Sequence, residues 1–71
     1  MLSRNKRYRL CGELQKYFTD YYLEVDRDVV VFTHKKTRQK TVFPLGDFIV
    51  ETGGPEEYRL RPQSEWPWPA R

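Results

Sequence analysis

One cysteine, one histidine and no apolar run of membrane-spanning length set the first limits on this chain. With no second cysteine, Cys11 excludes an intrachain disulfide and a four-cysteine zinc site, which fits a reducing compartment better than a secreted scaffold. No stretch approaches the roughly 20 apolar residues of a transmembrane helix. The basic N-terminus has no apolar run behind it of the kind a secretory signal carries. These absences lead to the expectation of a soluble, cytoplasmic protein with no membrane partner. Glycine-rich phosphate loops, nucleophile elbows and zinc-protease helices are also missing, so no cofactor and no metal site are expected.

What remains is short and aromatic. A chain of 71 residues holds one domain at most and buries only about 60% of the surface it exposes when unfolded. Eleven residues are Phe, Tyr or Trp, which bury large areas for little chain and favour a folded domain over a disordered one.

The net charge of +3 is too mild to name a partner, but its distribution is uneven. Residues 1–9 carry Arg4, Lys6, Arg7 and Arg9 without an acid, for +4, and residues 35–40 carry Lys35, Lys36, Arg38 and Lys40, again for +4. Residues 10–34 sum to −3 and residues 41–71 to −2.

The spacing of Leu10, Leu14, Tyr17, Phe18, Tyr21 and Val25 in steps of three and four predicts an amphipathic helix from Leu10 to about Tyr21. A strand from Tyr8 to Leu14, with Gly12 as a bulge, is the competing reading and leads to an all-β small barrel. Further on, β-prone runs at 23–25, 29–33, 40–43, 48–50 and 58–60 are separated by "DRD", the basic segment, Pro44 with Gly46, and "TGGPEE". The expected fold is α+β: one N-terminal helix packed on an antiparallel β-meander of four to five strands. Three parts are expected: a basic arm (1–9), a compact domain (10–61) and a Pro/Trp-rich extended tail (62–71). The expected core is Leu10, Leu14, Tyr17, Phe18, Tyr21, Leu23, Val25, Val30, Phe32, Val42, Leu45, Phe48, Val50 and Leu60.

Three features carry the functional expectations. The basic segment between two strands reads as a hairpin tip whose Lys35, Lys36 and Lys40 pair with phosphates while Arg38 and Gln39 reach base edges. A solvated turn whose lysines guard a sheet edge is the plain reading of the same residues. The arm adds Arg4, Lys6, Arg7 and Arg9 around Tyr8, a pattern that suits backbone tracking with a stacking ring. In the tail, Trp66 and Trp68 between prolines suit docking on a protein partner, or folding back over the domain's own core.

Enzymatic activity is not expected. A ribonuclease with His34 as acid or base is the one reaction the residues allow, but a lone histidine at a strand end is most often a surface residue. The expected function is a small module that binds DNA or RNA through the hairpin tip and the arm. The alternative is an accessory or inhibitory factor that regulates a larger protein through its open sheet face or its "WPWP" tail.

Overall fold

Ser3 starts the helix earlier than the apolar stripe suggests. In the computed structural model, which describes residues 2–54 and 57–67, α1 spans Arg4–Gln15. The Ser3 hydroxyl accepts the Lys6 N–H at 3.3 Å, and the Ser3 carbonyl accepts the Arg7 N–H at 2.9 Å. The helix expected over Leu10–Tyr21 is thus displaced by six residues at each end. Leu10 and Leu14 are fully buried, as the stripe requires, but Phe18 and Tyr21 enter the core from the following turn and from β1. A tight turn carried the three-and-four spacing past the end of the helix.

Gln15 sets that end. Its Nε2 donates to the Phe18 carbonyl at 2.9 Å and the Tyr21 carbonyl at 2.6 Å, and its Oε1 accepts the Leu23 N–H at 3.3 Å. One turn earlier, the Cys11 thiol donates to the Leu23 carbonyl at 3.1 Å. Side chains at i and i+4 of one helix therefore occupy the outer edge of β1, which would otherwise present unpaired backbone groups.

Three strands follow: β1 (Tyr21–Asp26), β2 (Val29–His34) and β3 (Lys40–Pro44), antiparallel in the order β1-β2-β3. A second hairpin pairs β4 (Ile49–Glu51) with β5 (Tyr58–Leu60). One helix on a small antiparallel sheet of three plus two strands is the expected α+β architecture, and no closed barrel forms among the described residues. No helix among them is long and apolar enough to cross a membrane.

Register decides which face each side chain takes. Val30 pairs with Phe43 and Val31 with Val42, so Phe43 joins buried Val30 and Phe32 while Val42 turns outward and is 56% exposed. Val42 is therefore not a core residue, and Ile49 rather than Val50 fills the adjoining position on β4. Tyr17, also expected inside, is 51% exposed because it follows the helix end on the outer side of the turn. Leu2 and Trp66 enter the core instead.

Trp66 closes the core from the C-terminal side. Pro62 leads into a 3-10 turn (Gln63–Glu65), and the Trp66 N–H donates to the Gln63 carbonyl at 3.1 Å. The indole is 1% exposed, stacked on Phe18 at 5.7 Å and edge-on to Phe48 at 5.7 Å. Phe18, Phe32, Phe48 and Trp66 form the aromatic centre of the domain. One face of the β1-β2-β3 sheet covers it, and the other face meets no element among the described residues.

Candidate nucleic-acid interface

The hairpin tip is closed by its own backbone and by His34. The His34 N–H donates to the Gln39 carbonyl and the Arg38 N–H to the His34 carbonyl, both at 2.9 Å. The His34 Nδ1 accepts the N–H groups of Lys36 at 3.1 Å and Thr37 at 3.3 Å, and the Thr37 hydroxyl accepts the Gln39 N–H at 3.3 Å. At the base, the Lys35 N–H donates to the Asp20 carbonyl at 3.0 Å, tying the tip to the α1–β1 turn. With the backbone satisfied internally, Lys35, Lys36, Arg38, Gln39 and Lys40 are all exposed. His34 serves here as the acceptor that shapes the loop, and its ring packs edge-on against Tyr21 at 5.1 Å.

A residue absent from the expected site stands beside this tip. Tyr22 lies on the outward face of β1, 53% exposed, with the Lys35 Nζ 5.3 Å and the Arg38 Cζ 5.7 Å from its ring centroid. Thr33 and Lys40 continue the same row across β2 and β3. The signal was present in the alternation of β1: once Tyr21, Leu23 and Val25 face the core, Tyr22 must face out, next to the end of the basic hairpin. Arg38 is held at φ 64°, in the left-handed region that costs a non-glycine residue about 1–2 kcal/mol.

The arm residues sit elsewhere. Arg4, Lys6, Arg7, Tyr8 and Arg9 occupy the first turns of α1, with Tyr8 84% exposed. Arg4, Arg7 and Tyr8 line a groove shared with Leu23, Glu24, Val25 and Asp26. The Gln15 end of α1 is bound to the start of β1, so the arm lies at the opposite end of that strand, roughly 17 Å from the tip for a strand of this length. The two basic clusters are thus not brought together, and the arm faces two carboxylates that the tip does not.

Of the tail residues, Trp66 is turned into the domain's own core, the second of the two alternatives open to it, because Phe18 and Phe48 offer the indole an apolar site that an extended tail lacks. Trp68 lies outside the described residues. Cys11 is half-buried; burial pushes its thiol up, the Val25 N–H hydrogen bond works against that, and Glu24 adds to it. With its thiol donated to the Leu23 carbonyl, Cys11 packs against the edge of β1. Among the described residues, no cluster of three or more His, Cys, Asp or Glu is placed to hold a metal ion.

The fold and the site together define a two-layer α+β domain with an internally hydrogen-bonded, cationic hairpin tip beside a half-exposed aromatic ring. Compared with protein-family models, curated proteins and solved structures, the chain has no match.

Proposed function

We propose that this protein is a small nucleic-acid-binding module whose principal contact is the β2–β3 hairpin tip, with the first turns of α1 as a second, weaker contact. The observation that carries this reading is the tip: four exposed cations, no acid within residues 35–40, and a backbone fixed by its own hydrogen bonds. Such an element presents charge at low ordering cost, and each phosphate it neutralises releases condensed counterions. The arm supports the reading in a different way. Arg4, Lys6 and Arg7 crowd the helix N-terminus, where the dipole favours acids and none is present in the first turn. Helix stability does not account for them there, and a polyanion does.

The test is a polarisation titration against labelled single- and double-stranded DNA and RNA. Four phosphate contacts at about 0.7 counterions each imply a loss of about 50-fold in affinity between about 50 and about 200 mM salt. Replacing Lys36 and Arg38 by Ala should lower the salt slope by about 1.4 and weaken all sequences alike. Absence of binding at the lower salt would refute the proposal.

A second reading rests on the outward sheet face. Val29, Val31, Val42 and Pro44 occupy two adjacent rows there, an apolar surface that suits a protein partner. Under that reading the protein is an accessory or inhibitory factor, and Val42→Ser, which removes apolar surface without adding charge, weakens partner binding and leaves polyanion binding unchanged.

A further inference from the structure

We infer that the tip and Tyr22 together form a site for single-stranded nucleic acid, in which an unpaired base stacks on the Tyr22 ring while Lys35, Arg38 and Lys40 hold the flanking phosphates. This rests on the nucleic-acid reading above and narrows it to one class of ligand. Three observations carry it. First, Tyr22 is 53% exposed on a strand whose other face makes the core, so its ring is not needed to fill the interior. Such a ring offers nothing to a duplex, whose bases present only their edges in the grooves, but seats an unpaired base once the long Lys35 and Arg38 side chains that lie over it swing to the base's phosphates.

Second, the cations are already gathered at that ring. Lys35 and Arg38 lie 5.3 and 5.7 Å from its centroid, from opposite sides of the turn in sequence, and Lys40 stands in the same row two strands away. Arg38 holds a left-handed φ of 64° that a glycine would adopt without strain, and a glycine there would forfeit the guanidinium. A base on the ring therefore has donors for its phosphates within the same patch.

Third, charge limits the ligand's width. The next rows of the outward face carry Glu24 and Asp26 on β1, and Asp28 follows in the turn. A duplex laid along the strands would bring its phosphates onto these carboxylates. A single strand crossing the sheet at the Tyr22–Thr33–Lys40 row avoids them.

The test is a polarisation titration of the intact chain with labelled single-stranded DNA, single-stranded RNA and a duplex of the same sequence. The variants are Tyr22→Phe, Tyr22→Ala and Tyr22→Ile, the last removing the ring while keeping a strand-forming side chain, with circular dichroism to verify the fold. The expected result is tighter binding of a single strand than of the duplex. Tyr22→Ala and Tyr22→Ile should each lose roughly tenfold of single-strand affinity, the effect of removing one stacking platform, while Tyr22→Phe retains it. The DNA and RNA arms show which sugar the site accepts, and preference for either single strand supports the inference. Duplex binding as tight as single-strand binding, unaffected by loss of the ring, overturns it and leaves the phosphate-contacting tip in place. No binding of any oligonucleotide overturns both.

Discussion

The two basic clusters carry the same charge, +4 on residues 1–9 and +4 on residues 35–40, and differ in everything around them. The arm is helical, sits where the dipole opposes its charge, and shares a groove with Glu24 and Asp26. The tip is a closed loop with one acid, Asp20, at its base and an aromatic ring at its side. Equal formal charge is therefore not an equal setting: Arg4 and Arg7 share a groove with Glu24 and Asp26, while the tip cations stand exposed with no acid within residues 35–40. The comparison assigns the tip the larger share of any polyanion contact.

The largest effect expected from a single substitution separates folding from binding. Trp66→Ala empties the centre of the aromatic cluster and should cost about 3–5 kcal/mol, measurable by urea denaturation. In a domain this small that loss approaches the whole stability. Removal of the tip charges should instead leave stability within about 0.5 kcal/mol, since those side chains are exposed. Lys35→Ala, Lys36→Ala and Arg38→Ala combined should lower single-strand affinity at low salt by two orders of magnitude or about that. Arg4→Ala with Arg7→Ala should lower it only a few-fold, and an equal or larger effect from the arm pair would make the arm, not the tip, the principal contact.

Gly12 is exposed within α1 and a Cβ there meets nothing within 4 Å, so Gly12→Ala should stabilise by about 0.5–1 kcal/mol. If α1 is the lesser contact, that substitution leaves oligonucleotide binding unchanged. On the other side of the helix, burial, and then a hydrogen bond to the Glu13 carboxylate, push the Tyr58 hydroxyl up to about 12. A tyrosine whose folded value lies above its unfolded value near 10 contributes stability below that pH and loses it as the pH rises towards 12. The denaturation midpoint of the wild type should therefore fall between pH 10 and 12 by more than that of Tyr58→Phe.

Much of the architecture was legible in the chain. β-branched runs between Gly, Pro and Asp gave the strands, and the Leu10–Leu14 spacing gave the helix face. The helix bounds were not legible from the stripe, because Phe18 and Tyr21 keep its phase after the helix has ended, and the Ser3 cap was the better signal. Val42 and Val50 were placed inside because periodicity alone does not choose between two apolar neighbours. Pairing does: Phe43 opposes Val30, and Ile49 opposes Leu60. At the site, the cationic segment and its hairpin were readable from composition. The outward face of Tyr22 was readable too, from the alternation of β1, but the approach of Lys35 and Arg38 to its ring was not, since that depends on a left-handed Arg38 and on how the loop folds beside β1.

Backbone amide shift mapping by NMR, with a short single-stranded oligonucleotide titrated into the labelled protein, bears most directly on the unequal roles of the two clusters. The account predicts the largest perturbations at Lys35–Lys40, Thr33 and Tyr22, with smaller ones at Arg4–Arg9. Perturbations centred on the arm, or confined to Val29, Val31 and Val42, would contradict it.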